Sequence, residues 1–266
     1  MRIYYINLDN HTKRRTFMER QFDEHGISAQ RVSAVDGAAL PSEILGRFKT
    51  AHDMRFPMGP GEVGCFLSHV QCWTLLQQTG ESHALVMEDD VIFGASLFQI
   101  VNAVDWDGLD ADIVKLETNF SRTRMARAPV LELDRRGIHL LTGKHASTGA
   151  YVINRRAIER LMGFSKEINL PIDQFLFNPD FPIFHEMRVL QVDPAPIVQF
   201  SVLYPDDTTE EISSNLDSER EVFKRDVEGF FERRILKPLR KLAKTARRSV
   251  RSLGSGQVEK RIKYLP

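Results

Sequence analysis

No apolar run in the sequence approaches the ~18 residues that span a bilayer, and the opening, Met1-Arg2-Ile3-Tyr4-Tyr5-Ile6-Asn7, lacks an apolar core followed by a cleavage site. A chain of this kind is expected to stay in the cytoplasm. Cysteine is nearly absent, with only Cys65 and Cys72. At that spacing on a helix two thiols share a face but sit two turns apart, which excludes a disulfide or a two-thiol metal clip and leaves small buried side chains. No internal repeat and no low-complexity tract is visible, so the 266 residues suit one large α/β domain, or a domain with an appendage. Net charge is absent too, but the zero conceals a polarity. Residues 224–266 hold 14 Lys and Arg against 4 Asp and Glu, a charge of +10, and the first 223 residues carry −10. Such a segment suits an anionic partner, either a membrane surface or nucleic acid.

What the sequence does have is a conspicuous junction. In Ala84-Leu85-Val86-Met87-Glu88-Asp89-Asp90-Val91-Ile92-Phe93 an apolar run meets three carboxylates and then turns apolar again. The pattern predicts a buried strand that delivers its acids to the end of a sheet, where α/β proteins bind ligands and where oxygen donors can hold a divalent cation. A solvated acidic turn has the same composition.

The flanking pattern is strand, helix, strand. Ile3–Leu8 predicts a first strand placed centrally, Asp9 and Asn10 offer N-caps, and Phe17, Met18 and Phe22 mark the buried side of a helix ending at Gly26. Arg14 lies in its first turns. Residues 30–37 predict a second strand ending in Asp36-Gly37, where the acid either reaches a sugar hydroxyl or simply makes a turn. Residues 38–58 carry no strong pattern. A helix starts at Pro60-Gly61-Glu62, with Val63, Phe66, Leu67, Val70, Trp73 and Leu76 at helical spacing. His69 on that helix reads as a packed core residue or as a ligand. Strands are expected at 112–117, 137–141 and 147–153, and a helix after the cap Asn154. A further helix begins at Pro171, with Asp173 in its first turn, where the helix dipole alone favours an acid. A last strand at 188–193 closes the sheet. From Ser218 onward the pattern is helical and amphipathic with a basic face, divided by Pro238. The expected domains are therefore 1–217 and a basic helical tail, 218–266.

Together, Tyr5-Ile6-Asn7-Leu8-Asp9 with Arg14-Arg15, Ala34-Val35-Asp36-Gly37, Gly61-Glu62-Val63-Gly64-Cys65-Phe66-Leu67-Ser68-His69, Glu88-Asp89-Asp90, Thr148-Gly149-Ala150-Tyr151 and Pro171-Ile172-Asp173 resemble glycosyltransferase family 25. This is the group of lipooligosaccharide sugar transferases that also includes the collagen galactosyltransferases. The resemblance covers roughly residues 3–200. It implies a GT-A fold, a Rossmann-like α/β domain binding a UDP-sugar with Mn²⁺ or Mg²⁺, and inverting transfer of a hexose, galactose or glucose, to a lipooligosaccharide or lipopolysaccharide core. Glu88 and Asp90 are then the metal ligands, with His185 as a third; the family position begins here with Glu, a longer arm than Asp. Asp173 is the candidate base, with donor-sugar binding as its other role. Asn7, Leu8, Asp9, Arg14, Ala34, Asp36, Gly37, His69, Asp89 and Lys115 are candidates for the nucleotide-sugar site, Lys115 or Arg14 meeting phosphate or a carboxylate. The basic tail either lies on anionic lipid at the cytoplasmic face of the inner membrane, near a lipid-linked acceptor, or folds back on the domain. No aromatic stacking platform accompanies its charge, which argues against nucleic acid. A non-catalytic sugar-nucleotide-binding protein and a metal-dependent hydrolase are the alternative functions.

Overall fold

The computed structural model describes residues 1–49, 56, 58–164, 170–206 and 256–266. The first unit is β1 (Arg2–Asn7), α1 (Thr12–Glu24) and β2 (Gln30–Ser33), with β1 and β2 parallel. Helices α2 (Ser42–Lys49) and α3 (Pro60–Gln77) follow, then β3 (His83–Glu88), β4 (Val91–Phe93) and α4 (Ala95–Ala103). Next come β5 (Ile113–Lys115), β6 (Glu117–Thr118), β7 (Arg122–Ala126), β8 (Leu131–Leu133), β9 (Arg136–Leu140) and β10 (Ala150–Asn154). Helices α5 (Arg155–Phe164), α6 (Ile172–Phe177) and α7 (Pro182–Glu186) lead to β11 (Val189–Asp193), β12 (Ile197–Gln199), α8 (Phe200–Leu203) and β13 (Gln257–Arg261).

The central sheet has eight strands in the order β2-β1-β3-β10-β5-β11-β9-β8. Strands β2, β1 and β3 run parallel, while β10 runs antiparallel to both of its neighbours, β3 and β5. A second sheet, β4-β12-β6, begins directly after the acidic turn. This layout, a mixed sheet with a small second sheet springing from an acidic seam, is an α/β architecture of the GT-A type that the family resemblance implies. Both faces of the central sheet are covered. Alternation along β3 sends Ala84 and Val86 to one core with Trp73 and Phe66 of α3, and Leu85 and Met87 to the other with Phe22 of α1 and Leu97 of α4. Two glycines permit the close seating of α3. A Cβ on Gly64 would meet the Val35 carbonyl at 2.5 Å, and one on Gly37 would strike the Pro60 carbonyl.

Several expectations need correction. The first half of 84–93 is the buried strand expected, β3, but after the turn at Asp89-Asp90 the apolar residues 91–93 form β4 in the second sheet. His11 stands at the N-cap of α1, in place of Asp9 or Asn10, and makes no side-chain cap. The patternless stretch 38–58 contains α2, and β11 lies between β5 and β9, not at the end of the sheet. Asn154 does cap α5, its Oδ1 accepting from the Ala157 amide at 2.7 Å. Most of the expected tail, 218–255, lies outside the described residues. Its final stretch is not helical: β13 pairs antiparallel with β7, Ile262 is buried against Met125 and Ala195, and Lys260 pairs with Asp193. An open strand edge and an apolar niche outweigh the helical periodicity there.

Candidate functional site

The site grows from the end of β3. Its side chains are buried without interruption from His83 to Met87, so the strand cannot carry ionised groups until it emerges at Glu88. The turn is pinned on both sides, by the Glu88 amide donating to the Gly149 carbonyl at 2.9 Å and by the Phe200 amide donating to the Asp90 carbonyl at 2.7 Å. Glu88 Oε1 accepts from Thr148 Oγ1 at 2.6 Å, and Gln199 Nε2 lies 3.3 Å from Glu88 Oε2 and 3.4 Å from Asp90 Oδ1. Asp90 is 3% exposed. Burial, reinforced by the neighbouring Glu88 and Asp89, pushes its carboxyl well above the usual carboxylate range, with Arg14 pulling the other way. Two crowded carboxylates bridged by one amide are a hard oxygen-donor set, and they fit a divalent cation that would relieve their repulsion.

Asp89 is used differently. It accepts from Asn7 Nδ2 at 2.7 Å and from Arg14 Nη1 at 2.9 Å, so it ties β1 and α1 to the turn. Around it opens a cavity of about 360 Å³, lined among others by Asn7, Leu8, Arg14, Ala34, Asp36 and Gly37, with Glu88, Asp89 and Asp90 at one end. Asp36 does both things its position allowed: it lines the cavity, and its Oδ1 accepts from the Ala38 amide at 3.0 Å. Gly61 and Cys65, from the first turns of α3, complete this wall, so the positive end of an 18-residue helix faces the space.

Behind the acids lies a second polar group. Lys115, wholly buried, bonds Glu117 Oε1 at 2.8 Å, also donates to the Ser147 carbonyl, and sits over the Phe177 ring at 4.2 Å. Burial raises the Glu117 carboxyl despite that lysine. Ser147 Oγ lies 2.9 Å from both Glu117 Oε2 and Gln199 Oε1, which links this pair to the acidic turn through Gln199. Ser147 holds φ at 85°, a left-handed conformation that non-glycine residues seldom adopt. A Cβ on Gly149 would collide with Glu117. The Ser147 amide donates to Asp173 Oδ2 at 3.2 Å, and Gln174 Nε2 donates to the same oxygen at 2.9 Å. Asp173 Oδ1 is buried without a hydrogen-bond partner.

The structure thus gathers Asn7, Leu8, Arg14, Ala34, Asp36, Gly37, Glu88, Asp89 and Asp90 around one cavity, and links Asp173 to it only through Ser147 and Gln199. Three candidates are placed elsewhere. Asp9 is exposed and pairs with Arg31 and with Ser33 Oγ, the latter at 2.8 Å. Lys115 meets a carboxylate, not the cavity. His185, exposed on α7, bonds the Pro179 carbonyl at 2.9 Å and, among the described residues, is not grouped with the acids. Among the described residues, the donor atoms close enough together to hold an ion are those of Cys65, His69 and Glu88, within 4.8 Å of one another. Thr148, Ser147, Gln199 and Glu117 were not anticipated. Isolated polar residues have no periodicity, and the motif Thr148-Gly149-Ala150-Tyr151 carried the resemblance without assigning Thr148 a role.

With this geometry in hand, comparisons with known proteins are informative. The profile of glycosyltransferase family 25 (LPS biosynthesis protein) matches residues 1–176. The lacto-N-neotetraose biosynthesis glycosyltransferase LgtB of Neisseria gonorrhoeae is 29% identical over 75% of this chain and 74% of its own. The lipooligosaccharide biosynthesis protein lic2B of Haemophilus influenzae is 24% identical over 83% of each. Among solved structures, a galactosyltransferase LgtC bound to donor and acceptor sugar analogues aligns with a TM-score of 0.40 at 12% identity, over 88% of this chain and 99% of that one.

Proposed function

Because the chain belongs to glycosyltransferase family 25, we propose that it moves a hexose, galactose or glucose, from a UDP-sugar to a saccharide of the lipooligosaccharide or lipopolysaccharide core. The observation that carries this reading is the half-buried Glu88 beside the buried Asp90 in the lining of a nucleotide-sized cavity. Glu88 and Asp90 would hold a Mn²⁺ or Mg²⁺ ion, which would supply Lewis-acid stabilisation of the departing diphosphate. The chain's own residues do the remaining work. Arg14, oriented by Asp89, offers its guanidinium to phosphate, and Asp36 and Asn7 hold the nucleoside. Asp173 accepts the proton of the attacking hydroxyl at Oδ1, the oxygen without a partner, while the Ser147 and Gln174 donors hold Oδ2 in place. Attack from the side opposite the nucleotide inverts the anomeric centre.

Thermal stability in a panel of nucleotide-sugars, with Mn²⁺ and with chelator, tests the donor, since a ligand that binds only the folded chain must raise its stability. UDP-hexoses should shift the transition only with metal, and a panel in which none does so overturns the reading. No described helix is long and apolar enough to cross a membrane. We place the chain at the cytoplasmic membrane face through its basic segment. Exchanging Arg233, Arg234, Arg240 and Lys241 for Gln should abolish sedimentation with anionic liposomes; undiminished sedimentation would sink that part.

A further inference from the structure

One buried group next to the acids has no task in the mechanism above. His69 of α3 has no exposed surface, and its Nδ1 lies 2.8 Å from Tyr151 Oη. Its Nε2 is buried, 3.4 Å from Glu88 Oε1, without a well-directed partner. Tyr151 Oη also lies 3.0 Å from Trp73 Nε1. An indole N–H can only donate, so the phenol oxygen accepts from Trp73 and has one hydrogen of its own to place. Among the described residues no other acceptor meets Tyr151 Oη, and Tyr151 is wholly buried. The arrangement that gives both the indole and the tyrosine hydrogen a partner is therefore Trp73 Nε1–H to Tyr151 Oη, and Tyr151 O–H to His69 Nδ1. A neutral imidazole that accepts at Nδ1 carries its hydrogen on Nε2.

We propose that His69 is a positioning residue, locked as the Nε2–H tautomer by Trp73 and Tyr151, whose N–H faces Glu88 Oε1 and leaves Oε2 to turn toward Asp90 and the cation. The inference rests on the reading of Glu88 and Asp90 as a cation site. It also gives the glutamate a reason. Thr148 Oγ1 and His69 Nε2 both meet Oε1 of Glu88, while Gln199 Nε2 lies between its Oε2 and Asp90, and the extra methylene gives the carboxylate the reach to serve both sides. The rival arrangement is a soft site in which Cys65, His69 and Glu88 themselves hold a zinc ion. That needs a bare Nε2, hence a hydrogen on Nδ1 directed at Tyr151, and the tyrosine hydrogen then has nowhere to go.

The test has two readouts. In metal-free chain labelled with ¹⁵N-histidine, the ring nitrogens of His69 should show Nε2 protonated and Nδ1 not, and Tyr151→Phe should erase that preference. Mn²⁺ binding, measured by electron paramagnetic resonance, should weaken on the order of 10–100-fold in His69→Leu. His69→Gln, whose amide can still donate to Glu88, should recover most of the loss. A hydrogen on Nδ1, equal Mn²⁺ affinity in the parent and His69→Leu chains, or stoichiometric zinc that survives dialysis and is lost in Cys65→Ser would each overturn the proposal. A parent chain that binds no Mn²⁺ while Nε2 remains protonated would instead overturn the cation reading, and the positioning of Glu88 for a cation with it.

Discussion

On the cavity side of the acidic turn the charges are matched: Asp89 is met by Arg14 and Asn7, and Asp36 by the backbone of its own turn. Asp90, which also lines the cavity, and the inner Glu117 and Asp173 share a single lysine, one serine and two glutamines, and Asp173 keeps a buried oxygen with nothing to bond. The first arrangement is complete before any ligand arrives. The second is held in an unfavourable state by the core around it, and such tension is relieved when a cation or a substrate hydroxyl enters. The difference teaches where binding ends and chemistry begins. Residues that are already satisfied can position a ligand, whereas unsatisfied ones gain from the changes that occur during reaction.

Three measurements would sharpen or break that contrast. The largest effect is expected for Asp173→Asn, which keeps the shape and removes the base. It should lower kcat by up to about 10⁴-fold with donor affinity unchanged, and a loss confined to KM would move Asp173 to the binding side. Asp90→Asn should cost on the order of 10³-fold in kcat, corresponding to several kcal/mol of lost Lewis-acid stabilisation, and yet leave the metal-free chain at least as stable as the parent. The sign follows from its raised pKa. Above the ordinary carboxylate range, near about pH 4, the unfolded chain has lost a proton that the folded chain still holds, so the parent loses stability as pH rises toward the folded pKa. Denaturant midpoints should show that decline in the parent and not in Asp90→Asn, and saturating Mn²⁺ should flatten it. The smallest effect is expected for Arg14→Gln, which disturbs only the matched side: about a tenfold rise in donor KM with kcat nearly constant. A large fall in kcat there would erase the distinction.

How much of this was legible in the sequence depends on the kind of signal. The apolar run into Glu88 and the helical spacing of α3 follow from burial, which leaves a period, and both were read correctly in kind. The division of 84–93 between two sheets was not, since three apolar residues after a turn look alike in either sheet and the choice is made by β12, a hundred residues away in the chain. Likewise the pattern of 218–266 concealed β13, because the surrounding cations mask a five-residue strand whose single apolar side chain, Val258, has no periodicity to show. The cavity-lining candidates came from the family resemblance and from their motif positions. Ser147 and Gln199 came from neither, since a role made by long-range hydrogen bonds has no local spelling, and Thr148 stood in a motif of the resemblance without a role assigned to it.

The pairing of β13 with β7 makes residues 257–261 part of the domain. Before residue 207, the Phe200 amide is tied to the acidic turn; after residue 255, β13 lies on β7 and the Leu265 amide donates to the Ala195 carbonyl at 2.9 Å. One backbone cut between residues 207 and 255 would produce two pieces still joined by that strand pairing and a small apolar niche, which migrate apart in denaturant but together without it. A deletion from residue 266 backward, by contrast, strips a strand from the domain before it reaches residue 255.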